Sequence, residues 1–123
     1  MALAAPLILV IGDDPDILQV YVGALELEGF PVLCAQNAFD GVGLASAQQP
    51  DLVLLDLHLP RVNGGWLADA LRRRGISTTI VLITADRNAK QWAEEHKADA
   101  FLEKPFDLGE LIELVRGRLM RSA

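Results

Sequence analysis

The sequence predicts an α/β fold in which five parallel strands form one sheet and helices cover both of its faces. Strand-like and helix-like segments alternate five times along the 123 residues. The strand-like runs carry Val, Leu and Ile at successive positions, as strands buried on both faces do. Right-handed crossovers then give a doubly wound sheet, and the order 2-1-3-4-5 suits five strand–helix units. Residues 1–123 contain no repeat or linker, so we expect a single domain.

The first strand–helix unit begins with a continuous β-favouring run at residues 7–11. Residues 13–16, of sequence DDPD, open a helix, because Asp caps helix N-termini and Pro fits the first turn. Gly29 is expected to end this helix. Its predicted apolar face consists of Ile17, Leu18, Val22, Leu25 and Leu27.

The second unit consists of a short strand at residues 31–35 and a helix that follows it. Asn37 and Asp40, three residues apart, resemble a capping pair for this helix. The helix is expected to be weak, because Gly41 and Gly43 lie inside it. Pro50 ends the region.

The last three units are bounded by turn and capping residues in the same way. Their strands are apolar runs, of which TTIVLIT is the most strand-like in the chain. The predicted elements are a strand at Leu52–Asp56, a loop at residues 58–65, a helix at 66–74, a strand at 78–84, a helix at 88–96, a strand at Ala100–Glu103 and a helix at 108–120 capped by Asp107.

Composition and charge exclude several function classes. The chain is 51% hydrophobic, and its net charge of −6 argues against direct nucleic-acid binding by this domain. The basic clusters at residues 72–74 and 116–121 fall at predicted helix ends, where cations complement the helix dipole. Residues 1–11 lack a basic flank and are too short to span a bilayer, so we expect a cytoplasmic protein without membrane association. The single cysteine, Cys34, is expected to be a small buried hydrophobe.

Polar side chains follow the apolar strands at the end where a parallel sheet places its ligand crevice. Asp13 and Asp14 follow strand one, and Asp56 ends strand three directly after two leucines. Thr84 ends strand four and Lys104 follows strand five. Each residue has an ordinary explanation by itself: Asp14 as a helix cap, Thr84 as a β-branched strand residue, Lys104 as a solvated charge. Together, at four strand ends that meet at one place, they predict a functional site.

Three carboxylates in one crevice repel each other and favour a cation, and oxygen ligands suit Mg²⁺. A lysine and a hydroxyl opposite the metal suit a group with several anionic oxygens, of which phosphoryl is the obvious candidate. Phosphoryl transfer depends mainly on positioning and charge neutralisation. A carboxylate nucleophile would give an aspartyl-phosphate.

These residues carry a resemblance that covers essentially the whole chain. Asp56 is followed by Pro60 and Gly64 at plus four and plus eight, and Thr84 by a small residue. Residues 98–106, ADAFLEKPF, end in Lys-Pro-Phe. In this order and spacing the motifs resemble those of the receiver domain of two-component response regulators, a CheY-like domain with a flavodoxin-like fold.

The resemblance implies a role for each site residue. Asp56 would accept phosphoryl from a sensor histidine kinase or a phosphotransfer protein of a phosphorelay. Its partners in binding Mg²⁺ would be the Asp13 carboxylate and the His58 backbone carbonyl. Thr84 and Lys104 would contact phosphoryl oxygens. The chain would then be a self-phosphorylating acceptor that also dephosphorylates itself, rather than a turnover enzyme.

The resemblance also implies a switch and an output surface. Thr84 and Phe101 match the family's switch positions, although core packing explains Phe101 equally well. A downstream protein or effector domain would contact the face formed by helix four, strand five and helix five.

The chain departs from the family at three places. Alignment on Pro15 puts Gly12 at the first of two adjacent acids, unless Asp14 substitutes for it with a one-residue shift. An aspartate at position 12 is expected to tighten Mg²⁺ binding, unless the turn cannot take a side chain. Lys104 follows Thr84 by 20 positions, about two fewer than the family pattern. Lys97 stands where a helix-ending glycine is usual.

Three other function classes compete with this interpretation. A receiver-like docking module would work without phosphorylation, and the loss of the first acid is its only sequence support. A flavodoxin-type cofactor binder needs a phosphate loop after strand one, where acidic residues 13 and 14 would repel phosphate. A haloacid-dehalogenase-type phosphatase has a second Asp two places after its nucleophile, where this chain has His58.

Overall fold

The computed structural model describes residues 5–56 and 64–119, without the side chains of residues 64 and 65. Within these ranges five parallel strands form one sheet in the order β2-β1-β3-β4-β5. This topology confirms the fold class and strand order expected from the sequence. The elements are β1 (Ile8–Gly12), α1 (Pro15–Leu27), β2 (Val32–Ala35), α2 (Ala38–Gln48), β3 (Leu52–Asp56), α3 (Gly64–Arg73), β4 (Thr79–Thr84), α4 (Ala89–Glu95), β5 (Ala100–Glu103) and α5 (Leu108–Leu119).

Two apolar layers hold the helices against the sheet. On one side, Leu18, Tyr21 and Leu25 of α1 meet Leu111 and Val115 of α5 over the β1 and β3 side chains. The other layer contains buried residues of α2, α3 and α4. Every residue of β1 and β3 is buried. The two central strands are therefore fixed on both faces, and so is the sheet edge at which they end.

The register of the strands places their ends side by side. Gly12 of β1 pairs with Asp56 of β3, and Asp56 pairs with Ile83 of β4. Thr84 of β4 pairs with Glu103 of β5. Residues that are far apart in sequence therefore lie at one edge of the sheet, as predicted.

The predicted helix caps are confirmed. The Asp14 carboxylate accepts hydrogen bonds from the amides of Asp16 at 2.9 Å and Ile17 at 3.3 Å. Asn37 Oδ1 accepts from the Asp40 amide at 2.8 Å, and Asp40 Oδ2 accepts from Asn37 Nδ2 at 3.0 Å. This reciprocal cap compensates for the two glycines inside α2.

Three local predictions are wrong. Gly64 and Gly65 belong to α3 rather than to the preceding loop. Cys34 is exposed, because β2 is an edge strand and one of its faces is poorly covered. Leu27 is 87% exposed, since the inward side of α1 follows the spacing of residues 18, 21 and 25. None of the helices in the described ranges is long and apolar enough to cross a membrane.

Lys97 ends the α4 region in a left-handed backbone conformation, with φ of 57°. The Cβ atom of an L-residue is crowded in this conformation, whereas glycine adopts it freely. The departure from the family at this position therefore has a structural cost.

We expect Lys97→Gly to stabilise the fold by about 1 kcal/mol, because glycine removes this crowding. Urea unfolding of the two proteins measures the change. Lys90→Gly, in the first turn of α4, is the matched control and is expected not to stabilise the fold, because Lys90 does not have a positive φ. Equal loss of stability in both variants would contradict the argument.

Candidate functional site

Asp56 is a buried charge at the end of the central strand. Its relative exposure is 2%, and the Lys104 ammonium lies 2.7 Å from its Oδ1 atom. Within the described part of the chain, Oδ1 accepts no hydrogen bond of good geometry. Burial of a carboxylate opposes folding unless a cation or hydrogen-bond donors compensate for the lost water. Lys104 supplies that charge, and an oxygen with unused acceptor capacity remains in the crevice.

Lys104 is held in place by backbone pairing rather than by its own side chain. Its amide donates to the Thr84 carbonyl at 2.8 Å, which extends the β4–β5 ladder by one step. The peptide bond from Lys104 to Pro105 is cis. The side chain keeps 20% of its surface exposed. The ammonium therefore lies between the buried carboxylate and solvent, where an incoming anionic group could reach it.

Thr84 lies at the end of β4, one residue beyond the partner of Asp56. Its hydroxyl oxygen accepts a hydrogen bond from the Asp86 amide at 3.0 Å. This bond fixes the turn after β4 and leaves the hydroxyl proton available for donation. Thr84 is thus placed to donate to an anion at this edge.

Asp13 and Asp14 differ in what their carboxylates do. Asp13 is exposed and directly follows Gly12, the β1 partner of Asp56. The Asp14 carboxylate is occupied by the start of α1. Asp13 is therefore the acid of the pair that is available to a cation, whereas a ligand role for Asp14 would require it to give up the cap.

A side chain at position 12 would collide with β3. A Cβ atom on Gly12 would lie 2.5 Å from the Asp56 carbonyl oxygen and 3.1 Å from a Leu18 methyl group. Contacts near 2.5 Å with backbone require the strands to separate. The clash favours the alternative that this turn cannot take a side chain, and tighter Mg²⁺ binding by an aspartate at position 12 stays a prediction. The obstacle is the close approach of two strands.

Two further residues, Phe101 and His58, were predicted to belong to the site. Phe101 is half-buried and packs against the core layer that contains α2, α3 and α4, so it does not reach Asp56 in this conformation. His58 lies outside the described residues. The structure thus brings Asp56 and Lys104 into contact and places Asp13 and Thr84 at the same edge.

Tyr21 is a neighbour of Asp56 that was missed in the sequence. It is 6% exposed, and its ring stacks on Phe106 with centroids 6.0 Å apart. Burial raises the pKa of the Tyr21 phenol above its usual range, and the nearby Asp56 charge adds to this effect. The phenol therefore stays protonated. The helical spacing of residues 18, 21 and 25 could have identified Tyr21 as inward-facing.

The donor set fits a hard divalent cation. Among the described residues, no group of three or more His, Cys, Asp or Glu forms a metal cluster. The edge nevertheless presents one exposed carboxylate, Asp13, and one buried carboxylate, Asp56, with unused acceptor capacity. Mg²⁺ is commonly bound by one or two carboxylates while it keeps several waters. The residues present therefore suit Mg²⁺ better than a metal that needs a complete protein cage.

Comparison with known families matches residues 8–116 to the response regulator receiver domain. The chain belongs to this family. It is a receiver domain of two-component signalling, and such domains interact with histidine kinases and downstream effectors. The receiver domain of the Francisella response regulator 1452 is similar to it, with a TM-score of 0.86, 26% identity and coverage of 96% of this chain and 99% of that one.

Two relatives show the range of proteins that contain this receiver domain. RpaA of Synechocystis, a DNA-binding transcriptional regulator, is 37% identical over 95% of this chain and 50% of its own length. PilH of Pseudomonas aeruginosa is 33% identical over 91% of this chain and 96% of its own. The chain thus spans about half the length of RpaA and nearly all of PilH.

We expect Gly12→Ala to destabilise the receiver domain by about 1–3 kcal/mol, because the added Cβ forces β1 away from β3. Gly23→Ala is the control, since a Cβ at Gly23 meets nothing within 4 Å. That variant is expected to gain about 0.5–1 kcal/mol of helix stability. Thermal unfolding of both variants checks the prediction, and an unchanged melting temperature for Gly12→Ala would contradict it.

Proposed function

We propose that this receiver domain accepts a phosphoryl group on Asp56 from a histidine kinase or phosphotransfer protein, in a reaction that depends on Mg²⁺. The observation that carries the proposal is the buried Asp56 carboxylate, paired at 2.7 Å with Lys104 at the open edge of the sheet. In the reaction, an Asp56 oxygen attacks phosphorus and the bond from phosphorus to the donor histidine nitrogen breaks. The product is an aspartyl-phosphate.

The surrounding residues bind and orient the transferred group. Lys104 pairs with one phosphoryl oxygen, and the Thr84 hydroxyl donates to another. Asp13, Asp56 and the backbone carbonyl of His58 would hold Mg²⁺. When bound, the cation neutralises negative charge on the phosphoryl oxygens. Hydrolysis by water returns Asp56 to the carboxylate, so the domain acts as a switch with a limited lifetime.

The docking-only alternative has little support in this geometry. A module that worked without phosphorylation would have no need for a buried carboxylate, because burying a charge at the end of an apolar strand opposes folding. The absence of the first acid follows from the strand contact at Gly12 and leaves Asp13, Asp56 and Lys104 in place. We therefore favour the phosphorylated switch.

Two surfaces are proposed for protein partners, in a cytoplasmic setting. A groove of about 610 Å³ opens beside Lys104 and is lined by Ile17, Val20 and Phe106. It gives a phosphoryl donor an apolar approach to Asp56. The face of α4, β5 and α5, which includes Phe101, is proposed to contact the downstream protein or effector domain.

Asp56→Asn is expected to abolish phosphoryl incorporation, because the amide is a poor nucleophile of the same size. Incubation with acetyl phosphate and Mg²⁺, followed by intact-protein mass spectrometry, measures it. Asp51→Asn, at an exposed carboxylate ahead of the same strand, is the control and should retain incorporation. Equal labelling of the Asp56→Asn protein would overturn the assignment.

Comparison of Asp13→Asn with Asp14→Asn distinguishes a carboxylate that binds Mg²⁺ from one that caps α1. Loss of the Asp13 charge is expected to weaken Mg²⁺ binding by at least about tenfold. Asp14→Asn should change it little, since asparagine caps helices as well as aspartate does. The rise in melting temperature with Mg²⁺ concentration reports binding for each variant. A larger loss in Asp14→Asn would show that Asp14 is the ligand.

A further inference from the structure

The helices α2 and α3 enclose a surface groove on the side of the sheet away from α1 and α5. Its volume is about 460 Å³. The residues that line it, here called the α2–α3 groove, are Phe39, Val42, Gly43, Ser46, Trp66, Ala70, Arg73 and Arg74. Neither the phosphorylation site nor the proposed output face uses this groove.

One end of the α2–α3 groove carries two exposed aromatic side chains. Phe39, in the first turn of α2, is 84% exposed, and Trp66, in the first turn of α3, is 45% exposed. Large aromatic side chains are enriched at the buried centres of protein interfaces. Two of them at one end of a groove provide an anchor for an apolar partner.

The floor of the groove contains a glycine that the fold itself does not require. A Cβ on Gly41 would lie 2.6 Å from Ile11, so Gly41 is needed for packing against the sheet. A Cβ on Gly43 would meet nothing within 4 Å. Glycine inside a helix reduces its stability. The missing side chain instead lets the backbone of a partner approach α2 closely.

The other end of the groove is basic. Arg72 is held within the domain, since it pairs with Asp99 at 2.8 Å and donates to the Thr78 carbonyl at 2.8 Å. Among the described residues, Arg73 and Arg74 are exposed and make no such contacts. Cations are favourable at any helix C-terminus. Here they also face the groove, on a chain whose net charge is −6.

We propose that the α2–α3 groove binds an amphipathic helix of a protein partner whose apolar side meets Phe39 and Trp66 and whose carboxylates meet Arg73 and Arg74. Phe39 and Ser46 are seven residues apart in α2, and Trp66 and Arg73 are seven residues apart in α3. Seven residues of helix span about 10 Å, or two turns. The groove therefore takes apolar residues at i, i+3 or i+4 and i+7, followed by acids. This binding requires neither Asp56 nor a phosphoryl group, so it goes beyond the proposed function.

Charge selects this occupant over others. The acidic chain repels nucleic acid and anionic lipid over most of its surface, and two arginines are too few to reverse that repulsion. A second copy would bring the whole net charge of −6 of another chain against this one, which opposes self-association. A short helix with acids only in its last turn places its negative charge next to Arg73 and Arg74.

The probe is a synthetic helical peptide with leucines at this spacing and glutamates in its last turn, of about 16 residues because shorter helices are marginal in water. Titration calorimetry with the unphosphorylated domain measures its affinity. The comparison probes are a scrambled peptide, a lysine version, an oligothymidine and vesicles with anionic lipid. Sedimentation of the domain alone tests self-association.

Gly43→Ala is the decisive variant, because it should raise the melting temperature while weakening peptide binding by about fivefold or more. A purely structural glycine cannot give opposite signs for these two quantities. Gly117→Ala in α5, where a Cβ also meets nothing within 4 Å, should raise the melting temperature alone. Phe39→Ala and Arg73→Glu should each weaken binding. The matched charge change Arg118→Glu, at an exposed residue of α5, should not.

Salt-sensitive binding of the acidic peptide with this pattern of variants supports the proposal. No binding at about 1 mM peptide, or equal binding of the scrambled peptide, overturns it. Tighter binding of the oligonucleotide, the vesicles or a second copy overturns the choice of occupant. Unchanged affinity in Gly43→Ala and Phe39→Ala overturns the choice of groove.

Discussion

The carboxylate of Asp56 is buried at the end of the central strand, and a charge in that position requires a compensating cation. The cation is Lys104, which directly follows β5, the strand two places away from β3 in the sheet. Its ammonium reaches Asp56 only because β5 pairs with β4 and β4 with β3 in one register. The ion pair therefore depends on the pairing of β3, β4 and β5. A group that binds the Lys104 ammonium more strongly than Asp56 does would leave the Asp56 carboxylate without its cation.

The contact between β1 and β3 imposes the second constraint on the site. The two strands approach so closely at Gly12 that the Asp56 carbonyl occupies the space of a side chain. Leu18 of α1 covers the same position. The edge therefore has an apolar wall at position 12, where the receiver-domain pattern has the first of two adjacent acids. Among the described residues, the carboxylates left for a cation at this edge are Asp13 and Asp56, since Asp14 caps α1, so the crevice is less acidic than one with an additional acid at position 12.

The sequence was sufficient to predict the sheet order and the convergence of Asp13, Asp56, Thr84 and Lys104, because buried parallel strands have a distinctive apolar pattern and end at one edge. It was not sufficient where the outcome depends on distances between elements. The collision at Gly12 arises from strand spacing. The exposure of Cys34 arises from the position of β2 at the edge of the sheet. Leu27 was expected to face the core and Tyr21 was not, because the apolar residues of α1 spread too widely around the helix to show which side faces the core.

Tyr21 gives this domain an optical property. The chain contains one tyrosine, and its phenol is buried beside Asp56. A phenol absorbs ultraviolet light according to its hydrogen bonding and to the charges nearby. A change in the charge or occupancy of Asp56 therefore alters the near-ultraviolet absorbance of this tyrosine, which a difference spectrum separates from the constant absorbance of the two tryptophans. The state of the site can then be followed in unlabelled protein and in real time, without a radioactive donor or an attached dye.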